Sequence, residues 1–323
     1  MSRPRIALLS NPKSTGNIAQ LSRIREYCAD HPDIFHYEVE RAEQIGDGMR
    51  TIARVRPKML IINGGDGTVQ AALTEIHNGG HFEEEPPPVA VLPNGKTNLI
   101  AIDLGSHGDP IHALERLVAL AQSDLSPHIV ARELIALRCE PTSHPVIGMF
   151  LGGAGLADTM LYCRDKIYPL GLPNGMAHAL TAVALLTRMV LRLKSSFLPP
   201  EPSLLQVSLR PEDRISGRFA LFAVTTLEKM LLASELNGSG RGRLKLVAVE
   251  ERPFSLLRAF FANLLGELGR NRFPGVHIEE SDEISIEGEN TNLILDGEMF
   301  RTRIGQPIVL SPAQPLSFVR LAA

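Results

Sequence analysis

The chain contains 323 residues, of which 44% are hydrophobic and 21% are charged, and its formal net charge is -3. This length exceeds what a single compact core usually supports, so we expect two domains with a cleft between them. Because nucleic-acid binding normally needs a strongly basic domain or stripe, this charge excludes nucleic acid as an expected partner.

Three cysteines, Cys28, Cys139 and Cys163, are too few and too scattered for a disulfide framework or a CxxC metal site, so we expect reduced thiols. The short apolar run at residues 6–9 predicts a first strand and not a signal peptide. The most apolar stretch, 177–193, is interrupted by Arg188 and Arg192 and falls short of the ~20 apolar residues of a membrane span. We therefore expect a cytoplasmic protein that can touch a membrane without crossing it.

The N-terminal third alternates short apolar runs with polar stretches that suit helices. The apolar runs lie at 5–10, 34–40, 58–63 and 89–92. Such alternation predicts βαβ units around a parallel sheet. Loops rich in turn residues follow three of these strands, at 11–16, 63–68 and 93–98. Open α/β sheets bind ligands at the carboxyl ends of their strands, so these loops mark the expected ligand site.

After residue 125 the pattern changes to closely spaced strand-like runs, which predict a mainly antiparallel β domain. The runs lie at 129–138, 145–151, 204–209, 218–225, 244–249, 276–280 and 283–287.

Two helices are predicted within the β domain, because apolar residues recur there at helical spacing. The apolar positions are Leu180, Val183, Leu186, Val190 and Leu193 in the first helix and Phe254, Leu257, Phe261, Leu264 and Leu268 in the second. Arg188 and Arg192 fall on another face of the first helix. Two interpretations fit these stripes: packing against the sheet, which we favour, or a wall for an apolar substrate.

The loop at 63–68 reads Asn-Gly-Gly-Asp-Gly-Thr between an apolar strand and a predicted helix. Its three glycines, Gly64, Gly65 and Gly67, permit a tight turn and the close approach of a ligand, and the helix that follows directs free N–H groups at that ligand. This pattern predicts a phosphate-binding loop. Asp66 would repel phosphate unless a cation such as Mg²⁺ lay between them.

Two other glycine motifs do not predict nucleotide binding by themselves. Gly95-Lys96-Thr97 looks like the end of a Walker A loop, but Ala90 stands where that motif requires glycine. The run at 152–155 lacks the third glycine of a dinucleotide-binding fingerprint and predicts a bulge or tight turn within β structure.

Taken together, the motifs resemble the diacylglycerol kinase catalytic-domain family, which includes bacterial lipid kinases, sphingosine kinases and ceramide kinases. The resemblance rests on Asn-Pro-Lys-Ser at 11–14, Gly-Gly-Asp-Gly-Thr at 64–68, Pro-Asn-Gly-x-x-Asn at 93–98 and Asp-Gly-Glu at 296–298. It implies a Rossmann-like α/β nucleotide-binding domain at 1–125, of the type shared with NAD kinases. It further implies a β-sandwich domain for a lipid substrate at 126–305 and a segment at 306–323 that returns to the first domain.

The resemblance also implies ATP and Mg²⁺ as cofactors. The implied nucleotide-binding positions are Asn11, Lys13, Ser14, Gly64, Gly65, Asp66, Gly67, Thr68, Gly95, Lys96, Thr97 and Asn98. Asp66 would also lie near the metal. An alcohol becomes a better nucleophile when a carboxylate accepts its proton, and we expect Asp296 to be this general base, with Glu298 orienting it or the metal. Asp66 is the second candidate for the base.

The third loop departs from the family pattern at two positions. Lys96 stands where threonine is usual, and Leu99 stands where aspartate is usual. Lys96 either adds a cation against the triphosphate or points into solvent. The missing carboxylate at position 99 leaves the contacts to the base and ribose open.

The expected function is transfer of the γ-phosphoryl group of ATP to the primary hydroxyl of a membrane lipid. Diacylglycerol or a related acylglycerol is the first choice of acceptor, and a ceramide or sphingoid base is the second. Two alternatives remain: a kinase of a soluble substrate similar to NAD kinases, and a regulatory protein that binds nucleotide without turnover.

The expected partner is the inner face of a membrane, contacted transiently and peripherally. Two basic faces are candidates for meeting anionic headgroups. One carries Arg188, Arg192 and Lys194, and the other carries Arg258, Arg270 and Arg272. The resemblance also suggests a homodimer.

Overall fold

The computed structural model describes residues 6–83, 85–171, 174–191, 195, 197–209, 213–227, 242–264 and 273–321. Several predicted positions lie outside the described residues, as does the side chain of Leu264. These positions are Arg192, Leu193, Lys194, Leu268, Arg270 and Arg272.

Strands and helices alternate in the first third of the chain, and strands dominate the rest. The strands are β1 (Ile6–Ser10), β2 (Ile34–Glu38), β3 (Met59–Asn63), β4 (Val89–Val91), β5 (Ile129–Arg138), β6 (Val146–Gly148), β7 (Phe150–Gly153), β8 (Leu205–Ser208), β9 (Arg214–Gly217), β10 (Phe219–Thr225), β11 (Leu244–Glu250), β12 (Val276–Ser281), β13 (Ile284–Gly288), β14 (Asn292–Leu295), β15 (Glu298–Arg301) and β16 (Ile308–Val319). The α-helices are α1 (Asn17–Asp30), α2 (Ile45–Val55), α3 (Asp66–Asn78), α4 (Leu99–Asp103), α5 (Pro110–Gln122), α6 (Gly155–Tyr162), α7 (Asn174–Leu191) and α8 (Pro253–Leu264).

The parallel strands β2, β1, β3 and β4 form one half of a mixed sheet, with helices on both faces. Along β1, Ala7 and Leu9 face the core under α2 and α3, whereas Ile6 and Leu8 face the core under α1 and α5. Since both faces are covered, these strands are apolar throughout, as buried parallel strands require. The helices contribute apolar residues at helical spacing to these cores.

Strand β16 joins the parallel half of this sheet to an antiparallel half. It pairs in parallel with β4 at Phe318 and Val89, and it pairs antiparallel with β5 and β13. Strands β8 and β9 extend the sheet beyond β13. The C-terminal strand is therefore bonded to both halves.

A second sheet, in the order β12-β11-β10-β7-β14-β15, is antiparallel throughout. It packs on the antiparallel half of the first sheet through a shared apolar core, in which β5, β8, β13 and β16 face β7, β10, β11 and β14. The predicted fold class, a Rossmann-like α/β domain with a parallel sheet plus a mainly antiparallel β-sandwich domain, is confirmed. One layer of the sandwich is continuous with the parallel sheet, which the sequence did not indicate.

The single strand predicted at 145–151 is two strands. β6 pairs with β5 in the first sheet, whereas β7 pairs with β10 and β14 in the second. The chain crosses between the sheets at Met149, where the backbone N–H groups of Met149 and Phe150 bind the carboxylate of Asp296 instead of a neighbouring strand.

The glycine run after Phe150 ends in the predicted tight turn. Gly152 and Gly153 lie in β7, and Ala154 has a φ of 51° and a ψ of -130° as the chain enters α6. Helix α6 therefore follows this turn, although the neighbouring sequence had predicted β structure.

The favoured interpretation of the two apolar stripes is wrong. Leu180, Val183, Leu186 and Val190 of α7 are exposed, as are Phe254, Leu257 and Phe261 of α8. Arg188, predicted to lie on a basic surface, is instead buried. Within the part of the chain that the structure describes, no helix combines the length and hydrophobicity needed to cross a membrane.

Gly153 provides a test of the packing between the two sheets. A Cβ added there would lie 2.6 Å from Leu293 Cδ2 and 2.7 Å from Phe222 Cδ1, both in the core of the sandwich. We expect Gly153→Ala to lower the free energy of unfolding by ~1–3 kcal/mol because of overpacking. Urea denaturation measures this change.

The control is Gly217→Ala in β9, where an added Cβ would make an ordinary contact 3.6 Å from Phe219 Cζ. Equal stability losses in the two variants would contradict the packing of β7 between β10 and β14.

Candidate active site

Three buried asparagines connect the carboxyl ends of the parallel strands. Asn17 is the first residue of α1, Asn63 ends β3, and Asn94 follows β4. Asn94 Nδ2 donates to Asn63 Oδ1 at 2.7 Å and also to Asn17 Oδ1. Asn17 Nδ2 donates to the backbone oxygens of Asn11 at 2.7 Å and of Asn63 at 3.1 Å. The three predicted loops are therefore tied together beneath the surface.

The loop after β1 packs tightly on this asparagine cluster. A Cβ added at Gly16 would collide with the side chain and the backbone oxygen of Asn94, so only glycine fits there. Asn11 Nδ2 donates to Thr68 Oγ1 at 2.9 Å and so links the first loop to the glycine loop.

The third loop packs on the glycine loop in the same way. Gly95 N–H donates to Asn98 Oδ1 at 2.6 Å, and Asn98 Nδ2 donates back to the Gly95 oxygen at 2.9 Å. Asn98 has a left-handed φ of 56°, which asparagine tolerates better than most residues. A Cβ added at Gly95 would lie only 3.1 Å from Gly65 Cα.

Helix α3 starts directly from the glycine loop. Gly65 is extended, with φ -80° and ψ 174°, and its oxygen accepts hydrogen bonds from the N–H groups of Thr68 and Val69. The N–H groups of Asp66 and Gly67 precede these first intrahelical bonds, as at the start of any α-helix. This helix end suits an anionic group such as phosphate.

Asp296 lies beside this helix end, in a two-residue hairpin loop between β14 and β15. Asp296 and Gly297 both have positive φ, 43° and 96°, as the Asp-Gly turn of a tight hairpin requires. Asp296 Oδ2 accepts a hydrogen bond from Met149 N–H at 2.6 Å, and Oδ1 accepts one from Phe150 N–H at 3.1 Å. A Cβ added at Gly297 would lie 3.4 Å from the nitrogen of Gly67, so the hairpin turn rests on the glycine loop.

The two aspartates at this point hold their protons unusually tightly. Burial raises the pKa of Asp296 to about 7, and the charge of Asp66 contributes to that rise. The hydrogen bonds from Met149 and Phe150 lower it, but burial outweighs them. Burial also raises the pKa of Asp66 to about 6, against a hydrogen bond from the Asn98 backbone. Raised values of this kind are typical of functional carboxylates.

The other predicted site residues lie at varying positions around this centre. Lys13 is exposed and pairs with Glu40 at 3.4 Å, and the Ser14 hydroxyl oxygen is buried. Lys96 Nζ lies 4.5 Å from the centre of the Tyr168 ring in the second domain, which neither sequence interpretation anticipated. Thr97 is half-buried, and Glu298 is exposed on β15, with a pKa raised by partial burial.

Thr68 and Leu99 have structural contacts within the protein. The Thr68 hydroxyl is buried and accepts the hydrogen bond from Asn11, and Leu99 packs partly against the core under α4. At position 99, where the family pattern has aspartate, this chain therefore has an apolar residue that packs against the core.

The carboxylates present suit Mg²⁺. This ion prefers oxygen ligands, and it usually binds through one or two carboxylates plus substrate phosphates. Asp66 and Asp296 supply two carboxylates at the start of α3, and the described residues contain no cluster of three or more His, Cys, Asp or Glu side chains that would form a closed site. A separate cleft of about 650 Å³ lies between α2 and the segment 81–87, and its charged lining residues are Arg50, Arg54, Arg56, Glu83 and Glu85.

The sequence did not identify the asparagine cluster as functional. Asn63 and Asn94 occur within the motifs, Asn63 at the end of one apolar strand and Asn94 shortly after another, and this position was the available signal. Asn17 has no local signal, because its role depends on partners that are 46 and 77 residues away.

Residues 5–126 match the family model described as diacylglycerol kinase catalytic domain. This range contains all three interlocked loops, and the predicted family resemblance is confirmed. The matched region is similar to a kinase catalytic domain. No curated protein sequence matches the chain significantly.

Solved structures from Bacillus anthracis str. Sterne share the fold over the whole chain. Two structures assigned as diacylglycerol kinases have 15% and 16% sequence identity and a TM-score of 0.64. Each comparison covers 99% of this chain and 98% of the other. A third diacylglycerol kinase structure from this strain has 14% identity and a TM-score of 0.60. The likeness therefore includes the second domain.

Removing one amide should loosen all three loops. We expect Asn17→Ala to lower the free energy of unfolding by ~1–3 kcal/mol, because it leaves buried polar groups of Asn94 and of the first loop without partners. Nucleotide affinity should fall as well. Urea denaturation and isothermal titration with ATP measure the two effects.

Asn78→Ala is the matched control, since it removes one amide hydrogen bond, to the Pro145 oxygen, outside the site. Its ATP affinity should equal that of the unmodified protein. Unchanged ATP affinity in Asn17→Ala would contradict the role of the cluster in forming the site.

Proposed function

Since residues 5–126 match the diacylglycerol kinase catalytic domain, we propose that this chain transfers the γ-phosphoryl group of ATP to the primary hydroxyl of a membrane lipid. The observation that carries the proposal is the buried Asp296 carboxylate beside the first turn of α3. A hydrogen-bonded base next to a phosphate-binding helix end provides the two functions that phosphoryl transfer to an alcohol needs.

Asp296 is the proposed general base. Its two oxygens are held by the N–H groups of Met149 and Phe150, and each oxygen keeps a second lone pair. With a pKa of about 7, the carboxylate can accept the proton of an alcohol near neutral pH as the bond from oxygen to phosphorus forms. Glu298 is exposed, so its proposed role is to orient Asp296 or the metal and not to take the proton.

The glycine loop is the proposed phosphate site. The N–H groups at the start of α3 would donate to the phosphate oxygens, and the absence of side chains at Gly65 and Gly67 permits close approach. Asp66 is the group that would hold Mg²⁺, which when bound offsets the negative charge of the phosphates. Lys13 and Lys96 lie on the flanking loops and would contribute positive charge nearby.

A lipid acceptor is supported by the surface of the second domain. Helices α7 and α8 expose apolar side chains where a kinase of a soluble substrate would need none. An acylglycerol is the first choice and a ceramide or sphingoid base the second, because both have a primary hydroxyl beside long chains. We propose peripheral contact with the cytoplasmic face of a membrane, and the homodimer suggested by the family stays a prediction.

Labelled phosphate transfer tests the reaction and the base together. Purified protein with radiolabelled ATP, Mg²⁺ and detergent-dispersed diacylglycerol, monoacylglycerol, ceramide or sphingosine should label one lipid class. Asp296→Asn should lower that rate by ~10²–10⁴-fold, the usual contribution of a positioned base. Glu298→Gln should have a smaller effect.

Asp282→Asn is the control, because Asp282 lies in the connection between β12 and β13 and is exposed. It should label lipid at the unmodified rate. Full activity in Asp296→Asn would exclude Asp296 as the base and favour Asp66. ATP binding without labelling of any lipid would favour a soluble acceptor or a protein without turnover.

The raised pKa of Asp66 predicts pH-dependent binding of magnesium nucleotide. Metal binding requires the ionised carboxylate, and protonation below a pKa of about 6 competes with it. We expect affinity for Mg-ATP to be ~10-fold weaker at about pH 5 than at about pH 8. Isothermal titration at the two pH values measures this.

Asp66→Asn separates this effect from protonation of the nucleotide itself. The variant should bind Mg-ATP weakly at both pH values, with a smaller difference between them. An identical pH dependence in the variant would show that Asp66 is not the titrating ligand.

A further inference from the structure

Helix α7 has an inverted arrangement of polar and apolar residues. Among its described side chains, every exposed one is apolar, with Val183 59% and Val190 62% exposed and Met176 and Leu191 exposed as well. Its one charged residue, Arg188, is 6% exposed and faces the protein. A surface helix of a water-soluble protein normally shows the opposite pattern.

Two hydrogen bonds fix this orientation of α7. Arg188 Nη1 donates to the Pro200 oxygen at 2.6 Å, and Nη2 donates to Glu251 Oε1 at 2.5 Å. Rotating the helix to bury its valines would separate the buried ion pair and leave Glu251 without its cation. These contacts of Arg188 therefore favour the orientation in which the apolar side of α7 faces outward.

Helix α8 contacts α7 and extends the apolar surface. Phe254 is 73% exposed, and Phe260 and Phe261 are both more than half exposed, with their rings 5.6 Å apart. These three phenylalanines together with Met176, Val183, Val190 and Leu191 are named here the α7–α8 face. Large exposed apolar patches of this kind mark interaction sites.

The charged side chains on the segments next to the α7–α8 face carry a net positive charge. Arg252 and Arg258 are exposed at and within α8, and Arg164 and Lys166 are exposed in the turn that leads towards α7. Arg164 pairs with Asp165 at 3.0 Å and Arg252 pairs with Glu250 at 3.1 Å, so Arg258 and Lys166 supply the excess positive charge of this group. Apolar residues with aromatic side chains and a basic surround are typical of segments that lie in the interface of an anionic membrane.

The start of α7 lies close to the candidate active site. Tyr168 lies six residues before this helix. Lys96 Nζ of the third loop lies 4.5 Å from the centre of the Tyr168 ring. Leu170, two residues after Tyr168, is exposed. The apolar surface therefore begins beside the loops that would hold the nucleotide.

We propose that the α7–α8 face inserts into the headgroup region of an anionic lipid bilayer and brings the active site to its lipid acceptor. This inference rests on the proposed lipid kinase function. A second copy of the chain is the less suitable occupant, because a two-fold pairing of this face would oppose its net positive charge to itself. Anionic headgroups complement the same charges.

Vesicle cosedimentation of the full chain tests the proposal. The unmodified protein should bind vesicles of phosphatidylcholine with phosphatidylglycerol more tightly than vesicles of phosphatidylcholine alone. Val183→Asp/Val190→Asp should weaken binding to the anionic vesicles by ~10-fold or more, because two charges would replace exposed apolar groups that the proposal places in the bilayer. Ile304→Asp is the matched control, since Ile304 is 75% exposed outside both helices, and it should bind as the unmodified protein does.

The acceptor assay separates failure of docking from failure of the kinase function. With a water-soluble short-chain acylglycerol, the double variant should keep the unmodified rate, and with vesicle-borne acceptor it should lose most of its activity. Equal vesicle binding by the unmodified protein and the double variant would overturn the docking proposal, whatever the labelling shows. A dimer that the double variant dissociates, without vesicle binding by the unmodified protein, would assign the face to a second copy. Vesicle binding without labelling of any acceptor would keep the docking surface and refute the lipid kinase function.

Discussion

The site depends on three buried amides at the end of the parallel sheet. A parallel sheet leaves the backbone groups of each following loop without strand partners, and those groups must be satisfied elsewhere. Asn17, Asn63 and Asn94 supply donors and acceptors to one another and to the backbone of the first and second loops. Because each amide bonds across a different pair of segments, the loops cannot shift independently. The short reach of asparagine sets their separation.

The second constraint is the crossing of the chain between two sheets at Met149. The two N–H groups released there are the donors that hold Asp296. Placing the carboxylate at a sheet crossing buries it, and burial dominates its pKa, although two hydrogen bonds favour the charged form. A carboxylate that was equally well hydrogen-bonded but solvated would be a much weaker base. The fold thus sets both the position of Asp296 and its basicity.

Local sequence patterns predicted the parts of this arrangement that have local causes. Strands β1, β3 and β4 end in turn-rich loops, and Asp296-Gly297 is a strong hairpin signal, so these elements could be identified from spacing and residue type. The continuity of the two domains through β16 could not be predicted, because it depends on strand pairing between residues more than 170 positions apart, such as Arg138 and Val309. The role of Asn17 depends in the same way on distant partners. The sequence showed that Lys96 departs from the family pattern, but it did not show that Lys96 contacts Tyr168.

The orientation of α7 shows why periodicity alone could not assign its apolar side. An apolar stripe and an arginine at helical spacing fit either direction, and the stripe is normally the buried side. Here the deciding residue is Glu251, 63 positions beyond Arg188, on the chain that leads into α8. Separating a buried ion pair typically costs ~3–5 kcal/mol, whereas burying one valine side chain gains ~1.5–3 kcal/mol, so one ion pair can balance about two valines. The ion pair and the hydrogen bond to Pro200 thus offset only part of the apolar area that α7 exposes, and contact with an apolar medium would stabilise the rest.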